Sequence, residues 1–575
     1  MEMARIGILL DNRAAARKWD FGLNVFERYV GEMLSHAGIP FQWFEEIDMS
    51  QMSSFDMIIV ALADETEQTR NQLWQYAVSG GIVISYAELN AFAGKLGCEP
   101  SRIIGAGYAR MGSMYEKAEA LRFLSAEPWR ILATTDRSTI AEYGSLVHAG
   151  TGQQSLGAAL QSFKVGNGYF ERWAINMAST VVMLQQGTGP VLTDGVPAPD
   201  GTGPVNDNLL KADDRIAQDW EYDRLRTETG ASYFAHPYAD YWRELMIGHL
   251  IRTAARLGKI LPFIGFWPDG VKHVALISHD SDLNEDVHAE ATLELLNECD
   301  IQSTWCMLEP GYSPYLYERL LEDGHEIGFH YNALEADGGE WNKEEFSRQL
   351  DWLKQASGIE TCCSNKNHYT RFEGWSELFS WCENNGLQLD QTRGPSKKGN
   401  VGFLFGTCQP YFPIAWSNES NRMIDVVELG FLTQDLDVSS IWADSSIINP
   451  ILDGVCKVGG VAHFLYHQAH IQTKEPVRRS FRKLVEEARK RDFKFWTGEQ
   501  INDWYRSRRE LRIESLNEHG LAVVRGREQL QAAVVWIPVI MSEDAQDDSN
   551  TDIHYGVKCK KQLVVVENEQ STMTT

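Results

Sequence analysis

Residues 274–286, VALISHDSDLNED, run four apolar residues into serine, histidine and two carboxylates one residue apart, Asp280 and Asp282. Alternate strand residues share a face, so both carboxyls stand together where an apolar run ends. Capping the next helix is the plain structural alternative, but one cap needs one carboxylate. Polar groups recur at the ends of the apolar runs that follow. HEIGFH closes on His330, CCSNKNHYTR offers Asn367, His368 and Arg371, and VAHFLYHQAH offers His463, His467 and His470. Carboxylate oxygen with imidazole nitrogen is a ligand set for a divalent ion, zinc being the one expected, and an open coordination position would activate water. A carboxylate outside that set would serve as general base. His279 points opposite Asp280 and His325 precedes its strand's end, and both read as structural; His463 shares a strand face with His467 and reads as the one of that pair that packs.

The elements that must hold these groups follow from periodicity. Over residues 266–508, strand-length apolar runs alternate with amphipathic helical patterns without a glycine-rich phosphate fingerprint. This predicts a (β/α) barrel with its functional groups at the strand C-termini. Residues 1–205 open with ARIGILL, DMIIVAL and GIVISY between helical patterns, which predicts a flavodoxin-like, doubly wound parallel sheet. ADYWRELMIGHLIRTAARLGKIL makes 206–265 a helical connector. Residues 509–575 alternate like antiparallel strands, a small β module whose acidic stretch SEDAQDDSNTD is expected to be a loop and whose end, NEQSTMTT, is expected to be disordered. The fold class is thus α/β.

A net charge of −27 across 575 residues argues against nucleic acid and anionic membrane surfaces as partners. The densest basic stretch, RRSFRKLVEEARKR, spaces its charges around apolar residues as the solvated face of a helix. MEMARIGILLDN reads as a first strand and not as a secretory leader. No run reaches the roughly 20 apolar residues of a membrane span. Nine irregularly spaced cysteines suit a reducing compartment, so a cytoplasmic location is expected.

Two resemblances add to this reading. DGHEIGFH resembles the GHEIGNH segment of polysaccharide deacetylases of the NodB-homology type. SHDSD resembles their first motif, TFDDG, in an Asp-x-Asp form, NKNHYTR occupies the place of the RPPYG-like third, and FLYH that of the closing LLH. GGIVISYAELNAFAGKLG, residues 80–97, resembles class I glutamine amidotransferase-like domains, here without a cysteine at a sharp turn and so non-catalytic. The first resemblance implies roles. Asp280 is the base acting on the metal-activated water, Asp282 the metal carboxylate, His330 the first metal histidine and His467 the acid that protonates the leaving amine. Arg371 would orient Asp280 through a charge-assisted bond. The family places a second metal histidine where this chain has Leu334, which cannot ligate. His368 is taken as the substitute, with Asn332 and His470 as alternatives. The implied activity is metal-dependent amide hydrolysis, foremost de-N-acetylation of an amino sugar or glycan-related substrate. Cyclic-amide hydrolysis and a non-catalytic carbohydrate-binding scaffold are the alternatives. The partner is a saccharide or amide-bearing small molecule, on whose ring Tyr331 and Trp341 would stack from a mouth loop. The flanking modules would position substrate or mediate assembly, a homo-oligomer included.

Overall fold

The computed structural model describes residues 2–150, 154–203, 209–439, 443–526, 530, 532–539 and 550–564. Its first large sheet holds seven strands. Ile6–Leu10 (β1), Gln42–Phe44 (β2), Met57–Leu62 (β3) and Ile82–Tyr86 (β4) run parallel in the order β2-β1-β3-β4. Ile140–Tyr143 (β5), Leu160–Val165 (β6) and Gly168–Trp173 (β7) extend it, with β7 parallel to β4 and β6 antiparallel to both β7 and β5. Ile6 and Ile8 pack into the same core as helix Tyr29–Ala37 (α1), while Leu9 packs into a second core with Leu73 and Ala77 of helix Glu67–Val78. Burial on both faces is why these strands read as unbroken apolar runs.

Tyr238–Arg256 (α2) connects the two large sheets and buries 16 of its 19 residues. It tolerates this because its charges are matched, Asp240 to Arg243 and Glu244 to Lys117 at 2.7 Å.

The second sheet has nine strands: His273–Asp280 (β8), Thr304–Met307 (β9), Glu326–Tyr331 (β10), Ser364–Asn367 (β11), Leu389–Asp390 (β12), Val427–Glu428 (β13), Thr433–Gln434 (β14), Val461–His467 (β15) and Phe493–Phe495 (β16). Their order is β13-β12-β11-β10-β9-β8-β15-β14, with β16 beside β8, and every pair is parallel. Among the described residues β13 and β14 do not pair, so the sheet curls without closing into the expected ring. The strands nearest the gap are only two residues long, too short to supply a closing ladder. Parallel direction puts every strand C-terminus on one rim, and the registers Asp280↔His467 and His330↔Lys366 set those ends side by side.

Ile448–Val458 (α3) leads into β15, and Glu475–Lys490 (α4) is the basic helix anticipated above, burying Phe481, Leu484 and Val485. Phe263–Ile264 joins Val534–Pro538, Val557–Leu563 and Thr551–His554 in an antiparallel sheet, as the C-terminal alternation predicted. Most of the acidic stretch (542–549) and the tail (568–575) lie outside the described residues. All nine cysteines are unpaired. No helix of the described residues is long and apolar enough to cross a membrane.

Candidate metal centre

Three strand ends meet at one point. Asp282 follows β8 by two residues, His330 is the penultimate residue of β10, and His368 is the first residue after β11. Asp282 Oδ1 stands 3.4 Å from His330 Nε2 and 3.4 Å from His368 Nδ1, and the two nitrogens are 3.2 Å apart. Ligand atoms about 2.0–2.1 Å from a tetrahedral ion lie about 3.3–3.4 Å from one another, so the triangle has the size such an ion requires. Tautomer chemistry agrees. His330 Nδ1 lies 2.8 Å from the Lys366 carbonyl and must donate its proton there, which turns the Nε2 lone pair toward the centre. His368 has its Nε2 toward Asp337 at 3.9 Å, leaving Nδ1 inward. Asp282 Oδ1 is shut from solvent and makes no hydrogen bond of good geometry. A carboxylate oxygen shut from water without a well-made hydrogen bond is unstable alone and is satisfied by a cation. Two imidazoles, one carboxylate and an open side therefore fit a divalent ion.

Asp280 lies against this triangle, Oδ2 3.8 Å from His330 Nε2. Its other oxygen accepts from Lys366 Nζ at 3.1 Å, and that fully buried amine also donates to Ser278 Oγ at 2.6 Å. Lys366 thus takes the place expected of Arg371. The guanidinium of Arg371 bonds instead to Glu373 at 2.6 and 2.8 Å, to Glu335 at 3.3 Å and to the Ala333 carbonyl. The reason is positional: Arg371 comes after the His368–Thr370 turn and leaves the sheet edge, whereas Lys366 is inside β11.

His467 ends β15 opposite Asp280. Its Nε2 is 3.5 Å from Asp282 Oδ2, while its Nδ1 makes a short ion pair with Asp435, whose Oδ1 accepts the His467 backbone N–H at 2.9 Å. Burial opposes the charge on His467, but the Asp435 and Asp282 carboxylates override it and raise the imidazole to about 10. Burial likewise opposes the charge on Asp435, yet His467 and His470 hold its carboxyl well below the usual range. His467 is thus a protonated acid aimed into the site. A cavity of about 430 Å³ opens onto Asp280, Asp282, His368 and His467.

The remaining candidates are elsewhere. Asn332 turns its side-chain oxygen to the Leu334 N–H at 2.9 Å, and His470 sits on Asp435 at 3.0 Å. His463 bonds Ser278 Oγ at 2.8 Å, His279 the Tyr466 carbonyl at 3.0 Å, and His325 the Ser303 N–H at 3.1 Å. Tyr331 is buried with its hydroxyl on the Asn342 carbonyl, and Trp341 packs on Trp381 at 4.8 Å, so neither forms the stacking face expected at a mouth loop. Sequence reasoning missed Lys366 and Asp435. The charge of Lys366 in the middle of a short strand was the available sign; Asp435 follows only a two-residue strand and gave none.

No family model and no curated protein matches the chain. Among solved structures it is similar to a Mycobacterium smegmatis protein described as a polysaccharide deacetylase, at 16% identity over 42% of this chain and 92% of that one, with a TM-score of 0.32. It is also similar to Puue allantoinase, at 12% identity over 42% and 92% with a TM-score of 0.30. A third is a Bordetella bronchiseptica protein described as a deacetylase involved in O-antigen biosynthesis, at 19% identity over 42% and 86% with a TM-score of 0.26. Likeness at this level leaves the chemistry to the side chains themselves.

Proposed function

We propose that the chain is a metal-dependent amide hydrolase that removes an acetyl group from an amino sugar or a related small amide. The observation that carries this reading is the triangle of Asp282 Oδ1, His330 Nε2 and His368 Nδ1, with a tethered carboxylate and a protonated imidazole beside it. A divalent ion held by those three residues supplies Lewis acidity, acidifying water and polarising an acyl carbonyl. Asp280, oriented by Lys366, takes the proton as water adds to the acyl carbon. His467, charged through Asp435, gives its proton to the amide nitrogen as the carbon–nitrogen bond breaks, so that acid and amine leave and Asp280 returns the proton to His467 through solvent. The cavity of about 430 Å³ admits a small ring-bearing substrate.

Elemental analysis and acetate release from a panel of N-acetylated sugars test this together. One divalent ion per chain and metal-dependent acetate release are expected. Asp282→Ala abolishes metal uptake, whereas Asp280→Ala keeps the ion and loses about 100-fold or more in turnover. A chain that takes up no zinc or cobalt overturns the proposal, and equal metal loss in both variants overturns the division of labour.

A further inference from the structure

A cavity of about 470 Å³ lies at the opposite end of β8 and β15, where α1, α2, the approach to β8, the end of α3 and the C-terminal sheet converge. Junctions of this kind are preferred places for small ligands, and the volume is in the usual range. Phe263, Phe266 and Trp267 line it from the approach to β8, and Trp536 and Tyr555 from the C-terminal sheet. These are flat apolar surfaces. The charges are not balanced. Asp240 pairs with Arg243, Glu244 with Lys117 at 2.7 Å, and Asp269 with Lys561 at 2.9 Å, but the exposed Lys272 and Lys457 have no ion pair among the described residues. Asp552, 4.0 Å from His554, is the one carboxylate of the lining without a lysine or arginine on it. In a chain of net charge −27, a surplus of cations at one cavity is a local reversal. Burial is the chief cause that depresses the two lining imidazoles to about 4, with Lys272 lowering and Asp492 raising His273, and Asp552 raising His554 more than Lys117 lowers it. Two lining residues, each about nineteen-twentieths buried, also have unmet bonds: the Nε–H of Arg243 (4% exposed) has no acceptor and Nε2 of His36 (5% exposed) has no partner.

We propose that this cavity is a second ligand site, taking a planar aromatic or heterocyclic anion that carries an N–H or O–H donor. The anion answers the rim lysines and the Arg243 donor, the flat body answers the aromatic walls, and the donor answers His36. The site is separate from the metal centre, which stands at the far ends of the same strands, on the order of 20 Å away for a six-residue strand path.

Calorimetric titration of the full chain with indole-3-carboxylate and with its neutral counterpart indole-3-carboxamide tests this. One carboxylate per chain is expected, with the carboxamide about tenfold weaker or more. Reversing both exposed lysines, Lys272→Glu with Lys457→Glu, should cost the carboxylate about tenfold and leave the carboxamide unchanged. Both side chains are on the surface, and an unshifted melting temperature confirms the fold of the double variant. Asp282→Ala should leave carboxylate binding intact, which separates this site from the metal centre. No saturable binding, equal affinity for the two probes, indifference to the double reversal, or loss of binding in Asp282→Ala overturns the proposal.

Discussion

Lys366 has no exposed surface, and its ammonium donates to two groups of the site, Ser278 Oγ and Asp280 Oδ1, with the Phe431 ring 5.6 Å away. A buried cation persists only when paired, and removing one partner of such a pair costs about 3–5 kcal/mol. Lys366→Met therefore leaves the Asp280 carboxylate buried and unanchored while touching none of the three atoms of the proposed metal triangle. The expected outcome is a lower melting temperature, an unchanged metal-to-protein ratio and a loss of turnover of about 100-fold or more. Lys366→Arg keeps the charge but not the compact ammonium, and should recover part of the turnover. Metal analysis beside steady-state kinetics checks this; loss of the ion in Lys366→Met would make the residue a support of the metal triangle instead.

At the scale of elements, His368 of the proposed metal triangle depends on a costly turn. Tyr369 and Thr370 both have left-handed backbone, with φ of 52° and 53°, in a chain segment without glycine. Such a conformation costs a non-glycine residue roughly 1–2 kcal/mol. Tyr369 is 56% exposed, so its ring is not retained for the core; it stands edge-on to His368 with ring centroids 4.5 Å apart. Tyr369→Gly should relieve the backbone without lowering the melting temperature, yet free the imidazole and weaken metal affinity about tenfold. A chelator competition titration reads this, and unchanged affinity would show that the ring does not hold the ligand. The same turn shows why part of the site was readable and part was not. Asp280, Asp282, His330 and His467 each end an apolar run, so strand periodicity exposes them. Lys366 lies in the polar strand SNKN, and Asp435 follows a strand of two residues; both acquire meaning only through neighbours distant in sequence. Helix Asn12–Asp20 escaped for a related reason: it buries only Ala14 and Ala15, so it has no apolar stripe, and its one local sign is Asp11 accepting from the Arg13 and Ala14 N–H groups. The two-residue strands beside the open side of the second sheet are likewise too short to leave a period.

For the whole molecule, the segment that carries the proposed metal triangle is not built to stand alone. One contiguous core cluster runs from Ile6 in β1 through Trp242 in α2 to Ile277 in β8 and Phe464 in β15. The chain just beyond His368 is tied by backbone bonds to residues that precede β8, the Phe372 N–H to the Leu210 carbonyl at 3.0 Å and the Val191 N–H to the Gly374 carbonyl at 2.8 Å. Asn421 accepts from Trp19 Nε1 at 2.8 Å and from the Val25 N–H at 2.7 Å, and the buried Arg393 donates to the Gln186 carbonyl at 2.8 Å. Cutting the chain to residues 266–508 removes the partners of all these bonds and bares the apolar face of α2's contacts. Exposed patches of that kind lead to association. The shortened chain should therefore aggregate or lose near-ultraviolet dichroism, and should fail to hold the ion because the turn carrying His368 has lost its anchor. The full chain under the same conditions should retain both. If residues 266–508 remained monomeric with one bound ion, the first sheet and α2 would be dispensable for the metal centre, and their tight attachment would have to serve the second cavity or the substrate instead.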